Sequence, residues 1–283
     1  MKTLRLTVKT TGLFLLALVV WIPIIMIVNG SFMGSDELSR NTGPILRDTA
    51  AMADWSFLPL YPTLKSYVEL LFDSPGFFVM FWNSCLQVIP SLLGQLLTAL
   101  PAAWAFARFD FKGKKLLFTM YILLMILPFQ VTMVSSYLVL FKLHLTGTPL
   151  AIILPNLFSA FPVFIMVKFF RDIPKSLIEA AKLDGAGEGY IFFKIGIPLG
   201  SSGIFSALLL DFLEYWNAVE QPLTFLSQKK NLWPLSLYLP AISAENAGIA
   251  FTASVVTMAL SLLLFLYGQR YLEQGIAASG LKG

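Results

Sequence analysis

Charge is scarce in this chain. Of its 283 residues only 13% are Asp, Glu, Lys or Arg, and 57% are hydrophobic. Soluble domains carry roughly 25% charged and 45–50% apolar residues. A water-soluble chain of this length buries a core, but it has no way to hide so much apolar surface. Cysteine and histidine are scarcer still. Cys85 is the single cysteine, which excludes an intramolecular disulfide or a multi-thiol metal site and reads as a small core residue. His144 is the single histidine and has no Cys or second His with which to share a metal, so no metal ligand is expected. A Gly-rich GxxxxGK[ST] phosphate loop is missing, so any ATP that drives this protein is bound by another subunit. No basic stripe interleaved with aromatics lies outside the apolar runs, which excludes a nucleic-acid partner.

What the chain has is long apolar runs. A helix needs roughly 20 mostly apolar residues to cross a bilayer. Candidate spans fall near 11–29, 77–104, 116–140, 150–170, 196–218 and 250–268. Helices are the expected spanning structure, because an unpaired strand or loop facing lipid leaves backbone polar groups unsatisfied. The fold class that follows is an all-α integral membrane protein of six transmembrane helices. The first run is longer than a signal h-region and lacks a small-x-small cleavage pattern near Asn29, so it reads as a retained span.

Basic residues orient the bundle. Fourteen of the 20 Lys and Arg lie at the N-terminus, in the loop at 108–115, around 168–194 and in the tail. The other six are Arg40, Arg47, Lys65, Lys142, Lys229 and Lys230. The rich side is cytoplasmic by the positive-inside rule, so both termini are expected inside. Residues 30–76 then form an extracytoplasmic loop, a solvated connector or docking surface with a short helix near 62–72. The net charge of +4 is a topology signal.

Polar residues inside the runs mark candidate cavity walls. Span two holds Asn83, Gln87 and Gln95 with Pro90 and Pro101, which predict a kinked helix with one face turned into the bundle. In span three Leu127, Pro128, Phe129 and Gln130 precede Thr132, Ser135 and Ser136, a pattern suited to a cavity beside a proline kink. Span five ends on Asp211, Glu214, Tyr215, Trp216 and Asn217. Acids within a membrane are costly and face a cavity or a subunit interface. Tyr215 and Trp216 suit either sugar stacking or an interfacial aromatic belt, the belt being favoured for Trp216.

Spans four and five are joined by a polar, glycine-punctuated loop. Pro174 suits the first turn of a helix, with Asp172 just upstream. Glu179, Ala180 and Ala181 follow in mid-helix, and Gly185 is placed to end that helix in a left-handed turn. A second short helix is expected at roughly 187–194, leading to Pro198.

On the residues alone, three classes remain open. One is a docking-driven permease. A second is a proton-coupled secondary transporter using Asp211 and Glu214. The third is an intramembrane enzyme, for which one His and one Cys are thin material.

The loop separates them by resemblance. Glu179, Ala180, Ala181, Gly185, Ile195 and Pro198 match the spacing of the EAA loop of ABC-importer permeases, with Ile197 in place of the usual Leu. Leu127, Pro128 and Gln130, the segment 169–174, and Trp216, Asn217, Pro222 and Leu223 are similar to carbohydrate-uptake permeases of the MalG type. The likeness covers nearly the whole chain and is weakest over 30–76. It implies a type I importer permease, one transmembrane domain over 1–283, in the bacterial cell membrane and not itself an enzyme. It implies a coupling loop over 171–195, with Glu179, Ala180, Ala181, Asp184, Gly185, Ile195 and Pro198 contacting an ATPase. The implied substrate pathway takes in Gln130, Asp211, Glu214, Tyr215, Trp216 and Asn217. The implied partners are a second, homologous permease, two copies of an ATP-binding subunit, an extracellular solute-binding protein and membrane lipid. This chain is expected to bind no cofactor, ATP and Mg being held by the ATPases. The implied cargo is a mono- or oligosaccharide.

Overall fold

The computed structural model describes residues 2–46, 56, 58–238 and 246–280. Arg47 and Lys282, two of the basic residues that orient the chain, lie outside the described residues. The described chain is helical, and no strand occurs in it. Four helices are long and apolar enough to cross a membrane: Lys9–Ser31, Pro75–Arg108, Leu150–Asp172 and Ala247–Leu272. Two further pairs meet the same test only when joined across a sharp bend.

The residues form two compact units. One comprises Met1–Val79 and Tyr238–Leu260. It holds α1 (Lys2–Ser31), α2 (Ser35–Leu46), α3 (Lys65–Phe72) and portions of α4 (Pro75–Arg108) and α14 (Ala247–Gly280). The middle of α1 exposes Leu13, Phe14, Leu15 and Leu16, a surface suited to lipid. Met33, Leu38 and Ala247 form a small core capped by Phe251. Ser31 and Tyr67 hydroxyls hydrogen-bond at 2.8 Å, and the Glu37 carboxylate accepts the Leu60 N–H at 3.0 Å. The helix expected near 62–72 is α3. The extra helix α2 was hidden because Gly43 and Pro44 look like loop residues. Asp36 and Glu37 sit favourably in its first turn, and Leu38 is buried.

The second unit comprises Met80–Leu237 and Ser261–Gly283. Here α4 runs as one continuous helix through Pro90 and Pro101. Its polar face is tied to the backbone of the loop at 231–235. Asn83 donates to Asn231 O (2.8 Å) and Trp233 O (3.0 Å), Gln87 donates to Leu232 O (2.8 Å), and the Leu235 N–H donates to Ser84 (2.7 Å). Those side chains pair with loop carbonyls and an N–H that have no helical or strand partner, and unpaired groups of this kind are expensive away from water.

The run at 116–140 is not one straight helix. α5 (Lys114–Ile126) and α6 (Phe129–Lys142) meet at 103°. Leu127 and Pro128 are both extended, with ψ of 124° and 147°. The proline ring drives its predecessor out of the helical region, so the helix ends there and restarts.

α7 (Leu150–Leu157) and α8 (Ala160–Asp172) lead to α9 (Lys175–Leu183) and α10 (Glu188–Ile191). A wide π turn, Phe192–Gly196, and the short α11 (Ile197–Leu199) enter α12 (Ser201–Trp216) at a 69° bend. α13 (Glu220–Phe225) closes this part. The core centres on Trp104, Val163, Met166, Phe170, Ile191 and Ile204. Glycines make it dense. A Cβ at Gly196 would lie 2.6 Å from the Trp104 ring, one at Gly200 would lie 2.5 Å from Phe170, and one at Gly203 would overlap Phe169. Small residues let helices approach closely in lipid, where packing rather than water drives association.

Candidate functional site

The loop at 174–198 is built on a rigid base. Pro174, extended at ψ 132°, sets the start of α9. At the other end Gly185 takes φ +83°. The Gly185 N–H donates to Lys182 O at 3.0 Å and the Ala186 N–H to Ala181 O at 2.9 Å. These are the two bonds of a Schellman stop, which satisfies carbonyls otherwise orphaned at a helix end. Ile178 turns inward to the core, while Glu179, Ala180 and Asp184 face out and Ala181 is half-buried. Lys182 and Glu188 form an ion pair that joins α9 to α10.

The loop is anchored to the helices behind it. Arg108, at the end of α4, donates to Ile173 O at 2.8 Å, and its guanidinium lies 5.5 Å from the centre of the Trp104 ring. Trp104 packs edge-on against Phe170 at 5.3 Å and tilted against Phe192 at 5.6 Å. Ile178 of α9 packs into the same close-packed core as Trp104 of α4 and Phe170 of α8.

Two cavities open beside α9. One, about 670 Å³, is floored by Ala180, Ala181, Gly185 and Ile195, with Leu177 and Tyr190 at its rim. The other, about 360 Å³, is polar and includes Arg108, Asp110, Lys175 and Glu179. Lys114 donates to Asp110 at 3.0 Å, which holds that carboxyl below its ordinary range. Of the seven expected coupling residues, five (Ala180, Ala181, Asp184, Gly185 and Ile195) line the first cavity and Glu179 lines the second. Pro198 lines neither and starts the helical turn toward α12. The exposed apolar residues Leu183 (89% exposed) and Tyr190 (61%) went unmarked in the sequence. Their signal is a large apolar side chain in a polar loop.

A third cavity, about 600 Å³, is walled by α5, α6, the α7–α8 junction and the end of α12. Glu214 and Tyr215 are in its wall, as are Thr132 and Ser136 beside the Pro128 bend. Gln130 is joined to it through Glu220, a wall residue whose two carboxylate oxygens accept from the Gln130 amide at 2.8 and 2.7 Å. Asn156, Ser159, Glu220 and Gln221 are wall residues that sequence reasoning missed, since they come from short helices and turns without a motif.

Besides Gln130, three further expected pathway residues are not in that wall. Asp211 is fully buried, and neither carboxylate oxygen meets a hydrogen-bond donor among the described residues. The neighbouring Gln95 amide is committed to Tyr215 Oη at 2.6 Å and Asn156 O at 3.0 Å. Trp216 is 2% exposed, stacked on Phe212 at 5.3 Å and edge-on to Phe81 at 5.8 Å. It is a core residue, which corrects the reading of it as an interfacial belt. Asn217 is exposed and turns back to donate to Leu213 O at 2.7 Å, closing the end of α12.

A bundle of apolar helices with a structured polar loop and an internal cavity defines the class: a multi-pass membrane protein. Residues 95–278, more than half the chain, match the family described as binding-protein-dependent transport system inner membrane component, and the chain belongs to that family. It is therefore an ABC-importer permease subunit, and the proton-coupled alternative built on Asp211 and Glu214 is set aside. The arabinooligosaccharides transport system permease protein AraQ of Halalkalibacterium halodurans is 28% identical, covering 97% of this chain and 95% of that protein. A probable ABC transporter permease protein of Pyrococcus horikoshii is 34% identical over 78% of this chain and 82% of its own length. Among solved structures, a bacterial ABC transporter involved in the import of the acidic polysaccharide alginate superposes with a TM-score of 0.76. It covers 95% of this chain and 96% of the matched chain, at 19% identity, which establishes the shared fold.

Proposed function

We propose that this chain is the membrane-spanning subunit of an ATP-driven importer of a mono- or oligosaccharide. The observation that carries the reading is the family match together with 28% identity to an arabinooligosaccharide permease along 97% of the chain. In this reading the chain is one permease domain of six spans, each bent pair counting as one. Both termini and the loop at 171–195 are cytoplasmic, and residues 30–76 are outside. Glu179, Ala180, Ala181, Asp184, Gly185, Ile195 and Pro198 form the contact for an ATPase. The cavity floored by Ala180 and Ala181 suits an inserted side chain, and the exposed Leu183 and Tyr190 suit burial on docking. The assembly holds a second homologous permease, two ATP-binding subunits that carry ATP and Mg, and an extracellular solute-binding protein. The chain itself binds no cofactor and catalyses no reaction.

The substrate pathway runs along Glu214, Tyr215 and Gln130. Asp211, Trp216 and Asn217 hold the same stretch of α12 from behind or at its end. Hydroxyls, amides and aromatic rings around the cavity suit a sugar, whose hydroxyls take hydrogen bonds and whose ring faces pack on apolar groups.

The test is reconstitution. Labelled oligosaccharide accumulates in proteoliposomes when this chain, its partner permease, the ATPase, ATP and the binding protein are all present. It fails to accumulate when any one is withheld. Uptake driven by a proton gradient without the ATPase sinks the reading. A second outcome concerns Asp211. Asp211→Asn keeps the shape and removes a buried titratable carboxyl that has no counter-ion among the described residues. Breaking or stranding buried charges costs several kcal/mol, so the variant is expected to melt at equal or higher temperature and to retain uptake within about threefold. Abolished uptake in a well-folded Asp211→Asn transporter makes the acid essential and reopens the proton relay.

A further inference from the structure

We propose that the cavity at the end of α12 is a charge filter, passing uncharged sugars and turning back sugars that carry carboxylate, sulfonate or phosphate groups. The inference rests on the carbohydrate-importer reading and adds to it the charge class of the cargo. The cavity, about 600 Å³, lies within the roughly 300–1,000 Å³ range of small-molecule sites. Two ionisable carboxyls stand in its wall, Glu214 and Glu220, and its wall holds no Lys, Arg or His. Glu214 has no ion-pair partner among the described residues. Glu220 receives both its hydrogen bonds from the Gln130 amide, a neutral donor that orients the carboxylate and leaves its charge uncompensated.

Anion recognition in proteins uses Arg, Lys or converging backbone N–H groups. This wall offers the opposite. An entering anion meets two carboxylates in a wall that offers it no positively charged partner among the described residues. An uncharged sugar meets carboxylates that accept its hydroxyl protons, with Tyr215 and Asn156 beside them. Discrimination of this kind comes from repelling the wrong solute as much as from attracting the right one. The fold does not impose the choice, because it is shared with an importer involved in the import of an acidic polysaccharide. The residues in the wall decide it.

The experiment compares uptake of a neutral oligosaccharide with that of its C6-carboxylate counterpart into proteoliposomes holding the complete transporter. The same binding protein is used throughout, so a change in the ratio between variants belongs to the permease. Wild type is expected to favour the neutral sugar by about tenfold or more, since like-charge juxtaposition costs several kcal/mol. In Glu214→Gln/Glu220→Gln that ratio should fall at least about fivefold, and Glu214→Asp/Glu220→Asp, which restores the charges, should restore it. A wild type that carries both sugars at equal rates removes the filter and leaves the carbohydrate reading standing. An unchanged ratio in the double Gln variant also removes it. Failure of wild type to carry either sugar overturns the carbohydrate reading itself.

Discussion

Gly185→Pro is expected to reduce ATP-driven uptake by at least about tenfold while the membrane helices remain assembled. Site-to-site coupling is typically worth about 1–3 kcal/mol, or 5–150-fold, so its loss registers at this scale. The cause is local. Gly185 sits at φ +83°, and its N–H donates to Lys182 O at 3.0 Å. Proline fixes φ near −65° and has no N–H, so both the turn and the bond are lost. The left-handed turn that closes α9 and leads the chain toward α10 is then lost, and the cavity lined by Ala180, Ala181 and Gly185 changes shape. Gly185→Ala is the graded control. No atom lies within 4 Å of where its Cβ would stand, so the cost is the left-handed backbone alone, about 1–2 kcal/mol. Glu179→Lys tests the same surface by charge, because Glu179 shares its polar cavity with Arg108, Lys114, Lys175 and Lys182. Both Gly185→Pro and Glu179→Lys are expected to lose stimulated ATPase activity together with uptake. Full stimulated turnover and uptake in either variant would falsify the coupling role of α9.

The second large effect is on stability. Gly203→Leu is expected to lower the stability of the bundle by about 3 kcal/mol or more, the upper end of overpacking costs. By the scaling for chains of 150–250 residues that is roughly 6–12 °C in Tm. A Cβ at Gly203 would already overlap the Phe169 ring, and Leu adds three further carbons. Phe169 has little room to yield, because α8 packs along α12 and its neighbour Phe170 is fully buried against Trp104 and Gly200. Thermal melting of the detergent-solubilised complex provides the measurement. A Tm within about 2 °C of wild type would show that α8 and α12 do not pack here as closely as the structure has them.

These two glycines mark how far residue order reaches. Gly185 was legible in the sequence, because helix stops are local. A glycine after a polar helix, four residues beyond Glu179-Ala180-Ala181, needs only its own turn to define its conformation. Pro174, the starting point of α9, and the short helix after Gly187 were legible for the same reason. Gly203 was not, because nothing in the order of residues says that Phe169 lies against it. The bend at Leu127–Pro128 was half legible. Proline announced an interruption, but the 103° angle depends on two successive extended residues and on what α5 and α6 pack against. α2 was missed because Gly43 and Pro44 outweighed a buried face of Glu37, Leu38 and Asn41 that only its neighbours reveal.

The cavity divides in the same way. Glu214 and Tyr215 were marked because an acid and an aromatic near the end of an apolar run are conspicuous, and Thr132 and Ser136 because they follow a proline. Asn156, Ser159 and Glu220 are brought to the same wall by α7, α8 and α13, and no periodicity or spacing points to them. Trp216 shows the converse. An interfacial belt and a buried ring present the same sequence, and only the contacts with Phe81 and Phe212 distinguish them.

The sequence by itself determined the medium, the helical class and the capped polar loop between α8 and α12. Apolar run length, backbone satisfaction in lipid and helix capping are properties of neighbouring residues. The tertiary structure decided which polar side chains share a cavity, which acid is buried without a partner and which glycines are points of closest approach. Those depend on helices distant in sequence meeting in space, and hydrophobic association is too undirected for the order of residues alone to name the pairs.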